Sequence, residues 1–392
     1  MSIPTVSAAP YPTASVSPLF ALLAAAQRAR ASDVHLTANH PPLMRVDGDL
    51  AEIPGYPEPT TTNWLDSAVG GMLSNDQVSE FRQHGEVDLS ITVPNVARFR
   101  VNVFRQLGAV AVALRFIPDR IKSFAELGVP QVAAELVTKP RGLVLVTGPT
   151  GSGKSTTLAS MIDVVNQTKP AHIVTVEDPV EFQHTSKRAL IHQREIGSDT
   201  ASFSEALRRV LRQDPDIILI GELRDPESIS TALTAAETGH LVMSTLHTQS
   251  AAKSINRIVD AFPSDQQNQI RTQLGDTLRG IITQTLLPKS QDGGRVIATE
   301  VLVNTPAIAN LIREGEVSQI YSMMQAGAAL GMHTLDQDLV RLVSSGAISL
   351  ALAKEIAEDA RTFDEVRVRP VDYDAEAWTM HASERSAAGW GN

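Results

Sequence analysis

Apolar residues in the first third of the chain recur with two periods, which predict a small domain of helices and strands. Helical spacing covers residues 18–31 and again residues 63–84. Alternation between apolar and polar positions predicts strands, and Asp47-Gly48 is typical of a hairpin turn. The predicted strands are residues 32–37, 43–49, 86–93, 97–104 and 110–117.

Short apolar runs in the second part alternate with helical segments, as in a mostly parallel sheet covered on both faces. These predicted strands are residues 143–147, 173–176, 217–220 and 241–245. From about residue 265 onward the spacing becomes mostly helical. The predicted helices there are residues 265–284, 307–314, 318–326, 335–344 and 350–360.

Changes in composition along the chain predict where its domains begin and end. Residues 1–16 are rich in proline, serine and alanine and predict a flexible N-terminus, and residues 17–118 form the first α/β domain. Residues 119–124 are a short linker to a second domain, residues 125–370, whose first helix is predicted at residues 129–137. The remaining residues, 371–392, have no apolar period and are predicted to be a disordered tail.

One loop between a predicted strand and a predicted helix carries a phosphate-binding motif. Its residues are Gly148, Pro149, Thr150, Gly151, Ser152, Gly153, Lys154, Ser155 and Thr156. The glycines let the backbone curve so that N–H groups point at phosphate oxygens, and the following helix adds its positive N-terminal end. Lys154 can reach the β and γ phosphates, and the Ser155 hydroxyl can ligate Mg²⁺. The loop is therefore predicted to be a Walker A motif that binds ATP and Mg²⁺.

Composition restricts the classes of partner and compartment. The 392 residues are 43% hydrophobic and 20% charged, as in ordinary globular proteins. The formal net charge of −10 provides no basic field of the kind that attracts nucleic acid. The chain has no cysteines, and its longest early apolar run, residues 18–27, is too short to span a bilayer. We expect a cytoplasmic protein that binds no nucleic acid.

Two acidic clusters follow predicted strands, at the edge of the sheet where α/β proteins bind ligands. The first cluster contains Glu177 and Glu181, and the second contains Glu222 and Asp225. Hydrolysis of a γ-phosphate needs one acid to hold Mg²⁺ and another to orient or deprotonate the attacking water. In the second cluster Gly221 replaces the usual Walker B aspartate, so Glu222 is the carboxylate at the strand end. Each cluster alone also fits a solvated loop, but together they favour the catalytic interpretation.

Two further sets of polar residues have a structural and a functional interpretation. His240 and His247 flank the predicted strand 241–245, either as ordinary polar residues or as sensors of the γ-phosphate or the attacking water. In the predicted strand 97–104, arginines such as Arg98 alternate with apolar residues. That polar face either meets solvent or faces phosphate.

Taken together, these motifs resemble the secretion-superfamily ATPases of type II and type IV systems, and within them the branch that retracts pili. The shared segments are residues 148–156 (Walker A), 176–182 (Asp box), 214–225 (atypical Walker B) and 235–248 (His box). The resemblance covers about residues 17–370. It implies an α/β fold with a PAS-like N-terminal domain, a RecA-like P-loop core and a helical C-terminal part. It also implies a homohexameric ring with ATP bound between the N-terminal domain and the core.

The same resemblance assigns roles to the candidate residues. It implies that Glu181 is the catalytic base, with Glu177 as the alternative, and that Glu222 supports the metal. It also implies that His240 and His247 sense the nucleotide. Three arginines are implied to contact the γ-phosphate within a subunit or across the ring: Arg98, Arg105 and Arg115.

The implied function is ATP hydrolysis that powers pilus retraction and twitching motility. The implied partner is an inner-membrane platform protein, through which the motor associates with the membrane at the base of the pilus machine. The sequence also lacks the tetracysteine zinc module of the extension and secretion branches. Two alternatives stay open: an accessory retraction or type IV secretion ATPase, and a RecA-like nucleic-acid translocase that the acidic charge disfavours.

The predicted helix at residues 307–314 resembles a C-terminal signature of the retraction branch, with Ala309 where an arginine is usual. Its amphipathic pattern places Ile308, Leu311 and Ile312 on one side. That side either packs in the core or faces a partner, and we favour the partner.

Overall fold

The N-terminal part of the chain forms a six-stranded sheet in which neighbouring strands run antiparallel. Its strands are β1 (Asp33–Thr37), β2 (Leu43–Val46), β3 (Asp49–Glu52), β4 (Glu86–Val93), β5 (Ala97–Gln106) and β6 (Ala109–Ile117), in the spatial order β3-β2-β1-β6-β5-β4. On β5, Phe99, Val101 and Val103 are fully buried, as their alternation predicts. Val46 pairs with Asp49, which confirms the predicted hairpin.

These features come from a computed structural model, which describes residues 18–46, 48–117, 120–291 and 293–364. The predicted N-terminal segment 1–16 and tail 371–392 lie outside the described residues, as does Asp47 of the hairpin turn.

Three helices accompany the first sheet: α1 (Pro18–Arg28), α2 (Thr62–Gly70) and α3 (Asn75–His84). The prediction of one helix over residues 63–84 was wrong, because α2 ends at Gly70 and Gly71 caps it. Ser74 then starts α3 with a reciprocal capping box to Gln77. Two adjacent glycines followed by an N-cap serine interrupt a helix even where the apolar spacing continues.

The second sheet has seven strands. They are β7 (Gly142–Thr147), β8 (His172–Glu177), β9 (Leu190–Glu195), β10 (Ile217–Ile220), β11 (Leu241–Leu246), β12 (Leu278–Pro288) and β13 (Arg295–Val303), in the spatial order β13-β12-β7-β11-β10-β8-β9. Strand β7 is parallel to both neighbours, β11 and β12. Every residue of β7 and β11 is buried, as expected for central parallel strands covered on both faces. The four strands predicted in this part of the chain are confirmed.

The remaining helices follow or connect these strands. They are α4 (Phe124–Leu127), α5 (Val132–Leu136), α6 (Lys154–Thr168), α7 (Phe203–Val210), α8 (Pro226–Glu237), α9 (Ala251–Asp260), α10 (Gln267–Thr277), α11 (Pro306–Glu314), α12 (Ile320–Ala326), α13 (Leu335–Ser344) and α14 (Leu350–Ile356). Short 3-10 helices cover Val317–Gln319, Ala328–Leu330 and Ala360–Phe363. Within the described ranges, no helix is both long enough and apolar enough to cross a membrane.

The predicted helix over residues 265–284 was wrong beyond Thr277. From Leu278 the chain enters β12, where Ile281 and Ile282 are fully buried between β7 and β13. A short buried strand and a buried helix cannot be told apart by periodicity, although β-branched residues favour the strand. This strand brings Gln284 next to the phosphate loop.

The preferred interpretation of α11 was also wrong. Ile308 and Ile312 are fully buried, and Leu311 is half-buried. On the exposed side of the helix, Arg313 pairs with Asp276 at 2.8 Å. The apolar face of α11 therefore packs into the core.

The chain divides into two units that are not consecutive in sequence. The first comprises residues 1–121 together with residues 176–185 and 193–202, and the second comprises residues 122–175, 186–192 and 203–392. The predicted domain limits at residues 17–118 and 125–370 stay a prediction.

Candidate active site

The loop between β7 and α6 has the backbone that a phosphate cradle needs. Gly148, Gly151 and Gly153 have φ values of +141°, +78° and +89°. Residues with a side chain rarely adopt these angles. At Gly148 an added Cβ would lie 2.2 Å from the carbonyl oxygen of Gln284, so no other residue fits there. Glycine is therefore required at Gly148 by both conformation and space.

Lys154 is the first residue of α6 and is only 9% exposed. Its Nζ donates hydrogen bonds to the carbonyl oxygens of Gly148 at 2.9 Å and Pro149 at 3.0 Å. The ammonium group is thus held inside the curve of the loop, at the positive end of a 15-residue helix. This arrangement concentrates positive charge where anionic phosphate oxygens would bind.

Gln284 supports the loop from the neighbouring strand β12. Its side chain is 1% exposed, and its Nε2 donates a 2.7 Å hydrogen bond to the carbonyl oxygen of Ser152. The sequence prediction missed this residue because it placed Gln284 in a helix. The β-branched run Ile281-Ile282-Thr283 is the signal that could have identified the strand.

A second group of polar residues lies at the carboxyl ends of β10 and β11. Glu222 is ion-paired with Arg224, and its Oε2 lies 3.2 Å from Nε2 of His247. The Glu222 side chain is 15% exposed, so it is partly shielded from solvent. The structure therefore brings together two of the candidate residues, Glu222 and His247, with Arg224.

Backbone contacts connect this group to the phosphate loop. The Gly148 N–H donates to the carbonyl oxygen of Leu246 at 3.3 Å, directly before His247. The Thr245 hydroxyl donates to the carbonyl oxygen of Gly221 at 2.7 Å, directly before Glu222. Since the strands involved are parallel, their carboxyl ends form one edge of the sheet.

Asp225 of the second acidic cluster has a structural role. It is the N-cap of α8, and its carboxylate accepts hydrogen bonds from the backbone N–H of Ser228 at 2.9 Å and from the Ser228 hydroxyl at 2.7 Å. Burial raises the pKa of Asp225, but the hydrogen bonds from Ser228 and from the backbone N–H groups of Glu227 and Asp225 together hold the pKa below its usual value. Asp225 thus stabilises the helix start and leaves Glu222 as the candidate metal ligand.

His240 does not join this group. It precedes β11, and its backbone carbonyl accepts from the Gly142 N–H at 3.0 Å, at the amino ends of β11 and β7. Its Nδ1 lies 3.0 Å from the carbonyl oxygen of Ala235 in the preceding helix. Six strand residues at about 3.3 Å each separate this end from the phosphate loop, roughly 20 Å. The structure does not bring His240 to the phosphate loop of its own chain.

The two glutamates of the first acidic cluster differ in exposure and in hydrogen bonding. Glu181 is exposed, between Val180 and Phe182, which are 4% and 7% exposed. Two buried apolar neighbours anchor the backbone and direct the Glu181 side chain outward. Glu177, the last residue of β8, accepts a hydrogen bond from Gln193 Nε2 at 3.2 Å.

Each predicted phosphate-binding arginine has a partner in the first of the two units. Arg98 Nη2 donates to Glu195 Oε2 at 2.6 Å, and Arg115 Nε donates to Asp33 Oδ1 at 2.8 Å. The Arg105 guanidinium lies over the ring of Phe81, 5.1 Å from its centroid. The Arg115 side chain is 69% exposed, whereas that of Arg98 is 17% exposed.

The donor set suits Mg²⁺ bound together with a nucleotide. Within the described ranges, no group of three or more His, Cys, Asp or Glu side chains is arranged to hold a metal ion. Mg²⁺ is usually held by one or two protein oxygens, substrate phosphates and water. The half-buried Ser155 in the first turn of α6 and Glu222 are oxygen donors of the required type.

A family model described as type II/IV secretion system protein matches residues 14–365. The chain is 51% identical to the type IV pilus retraction ATPase PilT of Pseudomonas aeruginosa, over 87% of this chain and 98% of that protein. It is 39% identical to the type IV pilus ATPase PilU of the same species, over 84% of this chain and 86% of that protein.

The fold is similar to that of two solved ATPase structures. A crystal structure of the pilus retraction motor PilT with bound ADP superposes with a TM-score of 0.81 at 48% identity, covering 86% of this chain and 96% of that chain. The Legionella pneumophila ATPase DotB gives a TM-score of 0.73 at 29% identity, covering 88% of this chain and 96% of that chain.

Proposed function

This chain belongs to the family of type II/IV secretion system proteins, and we propose that it is a homohexameric ATPase motor that powers type IV pilus retraction. The main observation that supports this proposal is the 51% identity to a pilus retraction ATPase along 98% of that protein's length. The glycine-dependent phosphate loop supports the ATPase activity. Nucleotide binding is common to this family of ATPases, and PilT was crystallised with ADP.

Hydrolysis begins with ATP bound along the Gly148–Thr156 loop. Lys154 exchanges its contacts with two backbone carbonyls for phosphate oxygens, and so stabilises the charge that develops on the transferred group. Water attacks the γ-phosphorus, the bond to the β,γ-bridging oxygen breaks, and the proton of water passes to a carboxylate. Glu181 suits that base role because it is exposed, whereas Glu177 is bound by Gln193.

Glu222 and Ser155 would hold the Mg²⁺ ion. An ion held there would supply positive charge that offsets the negative charge of the phosphates. The contact of His247 with Glu222 places the imidazole beside the same edge of the sheet as the phosphate loop. There His247 orients the Glu222 carboxylate and reports on the occupancy of the site.

The mechanical output requires a partner, which we propose is an inner-membrane platform protein. The motor then works in the cytoplasm at the base of the pilus machine and is associated with the membrane through this partner. The acidic net charge of −10 argues against a nucleic-acid track. An accessory retraction or secretion ATPase is an alternative, and the 51% identity to a pilus retraction ATPase does not favour it.

The chemical test compares two variants of the purified protein. Lys154→Ala should lose most ATP binding, because it removes the charge that the phosphates meet. Glu181→Gln should retain ATP binding and lose turnover. Near-normal turnover of Glu181→Gln would transfer the base role to Glu177.

The functional test uses a strain that lacks only this protein. Loss of pilus retraction and twitching, restored by the wild-type gene and not by the Glu181→Gln gene, is the expected result. Normal retraction in that strain would contradict a primary motor role and favour the accessory alternative. ATPase activity stimulated by DNA would revive the translocase alternative.

A further inference from the structure

Glu195, the last residue of β9, is a buried carboxylate that ATP hydrolysis as described above does not use. It is 6% exposed and accepts hydrogen bonds from three donors of the first unit. Ser90 Oγ donates to its Oε1 at 2.7 Å, and Arg98 Nη2 donates to its Oε2 at 2.6 Å. The third donor is the backbone N–H of Val180, 3.1 Å from Oε2. Glu195 thus joins two strands of the first sheet to the residue that precedes Glu181.

Each of these contacts has a physical reason. A buried carboxylate must be paired and hydrogen-bonded, because desolvation of an isolated charge is costly. Ser90 pairs with Arg100 on the antiparallel neighbours β4 and β5, so Arg98 lies two positions away from that pair on the same face. Arg98 Nη2 also donates to Ser90 Oγ at 2.7 Å. The backbone N–H of Glu195 donates to Asp199 Oδ2 at 2.8 Å, which fixes the position of the glutamate itself.

A second residue of β9 holds the same acidic segment. Gln193, two positions earlier and therefore on the same face of the strand, donates from Nε2 to Glu177 Oε1 at 3.2 Å and to the Phe182 carbonyl at 2.8 Å. Its Oε1 accepts from the His184 N–H at 2.8 Å. The segment 177–184 is therefore attached to β9 on both sides of Glu181.

We propose that Glu195 is a positioning residue for ATP hydrolysis. By holding the Val180 N–H it sets the direction in which the adjacent Glu181 projects, and Arg98 and Ser90 hold Glu195 in place. Arg98 then acts on hydrolysis through Glu195, and not by contacting the γ-phosphate. This inference rests on the proposed function of Glu181 as the catalytic base.

The first experiment is a double-mutant cycle on the full-length protein. Glu195→Gln retains the shape of the side chain but removes the charge that pairs with Arg98. We expect kcat to fall about 10- to 100-fold, the usual effect of a misplaced catalytic group, with an unchanged KM for ATP. Arg98→Gln should have a similar effect, and the double variant should be no slower than either single variant, because both changes break one connection.

The matched control is Glu86→Gln, which removes an exposed carboxylate from the same strand that carries Ser90. It should leave kcat and KM unchanged. Amide hydrogen exchange gives a readout that does not depend on turnover: the Val180 amide should exchange faster in Glu195→Gln than in the wild type or the Glu86→Gln control.

A direct role of Arg98 predicts a different result. Arg98→Gln would then lower kcat far more than Glu195→Gln and raise the KM for ATP, and the two effects would multiply in the double variant. That pattern, or an unchanged Val180 exchange rate in Glu195→Gln, would overturn the proposal.

Two further variants separate folding and base assignment from positioning. If Glu195→Gln fails to fold, Ser90→Ala is the substitute, because it removes only one donor to Glu195. We expect this variant to show a smaller fall in kcat and faster exchange of the Val180 amide. No change in either quantity would overturn the proposal. Glu181→Gln tests the base independently. Normal turnover there would contradict the base assignment, while the kcat and Val180 exchange of Glu195→Gln would still decide whether Glu195 positions the segment.

Discussion

At the scale of single residues, the phosphate loop depends on the missing side chain of Gly148. A methyl group there would lie 2.2 Å from the Gln284 carbonyl oxygen and 2.7 Å from the Ser152 hydroxyl, and both distances are too short for a carbon atom. We expect Gly148→Ala to lose ATP binding, as measured with a fluorescent ATP analogue. Gly151→Ala is the control, since no atom lies within 4 Å of an added Cβ. Gly151→Ala should lower the free energy of unfolding by only about 1–2 kcal/mol, because of backbone strain.

Glu222 is the second residue whose role can be isolated. Replacing it with glutamine keeps the shape but removes the negative charge that faces Arg224 and His247. We expect turnover to fall and the Mg²⁺ concentration for half-maximal activity to rise, as measured by ATPase assays over a Mg²⁺ titration. Unaltered Mg²⁺ dependence in a variant with low turnover would contradict the metal role.

At the scale of elements, helix α11 has neighbouring residues that differ in burial, so their contributions to stability can be compared. Ile312 is fully buried and Leu311 is half-buried, although they are neighbours in sequence. Ile312→Ala should lower the free energy of unfolding by about 2–5 kcal/mol, because it leaves a cavity. Leu311→Ala is the matched control and should cost less in the same denaturant titration. Equal losses from both variants would contradict the packing of α11 described above.

Helix α9 begins beside a buried acid whose protonation depends on the fold. Glu300 is 3% exposed, and its Oε1 accepts from the Ala251 N–H at 2.6 Å. Burial raises the pKa of Glu300 to about 7, the Ala251 N–H lowers it in part, and the nearby Glu358 and Asp336 raise it further. The folded state therefore holds a proton that the unfolded chain releases near pH 4.5.

The free energy of unfolding should consequently fall as the pH rises from about 4.5 to 7, and should level off above pH 7. In Glu300→Gln this contribution is absent, so denaturant titrations at pH 5 and pH 8 should show a smaller fall than in the wild type. The difference is at most about 3 kcal/mol. Glu86→Gln should behave as the wild type, and an equal pH dependence of Glu300→Gln would contradict the raised pKa.

At the scale of the whole molecule, two strands of the N-terminal sheet hold the acidic segment 177–184 in position. Ser90 and Arg98 hold Glu195, which holds Val180 beside Glu181. A fragment of residues 125–370 retains the complete phosphate loop but lacks these two donors. We expect the fragment to bind ADP and to hydrolyse ATP poorly at every concentration. Specific activity equal to that of the full chain would contradict this dependence.

The proposed ring can be examined in the same assay. If neighbouring subunits complete the site, the activity of the full chain should rise more than linearly with protein concentration in the range where rings form. Light scattering on the same samples relates activity to assembly.

Sequence alone determined the features that depend on short stretches of chain. The Walker A loop was predictable because its glycines, lysine and serine act through the local backbone of one strand, turn and helix. The buried strands β7, β8, β10 and β11 were predictable because each is a continuous apolar run between polar segments. In the N-terminal sheet, strand β5 was predictable from the alternation of its buried and polar positions.

Only the tertiary structure decided which distant residues meet. Gln284 reaches Ser152 across 132 positions, and Glu195 reaches Arg98 across 97, so no local pattern indicates either contact. His240 and His247 flank one strand and so lie at its opposite ends, but only the pairing of β11 with β7 decides that the His247 end is the one beside the phosphate loop. The apolar spacing at residues 278–284 fits either a helix or a strand, and pairing with β7 selects the strand. The apolar face of α11 fits either the core or a partner surface, and tertiary packing selects the core.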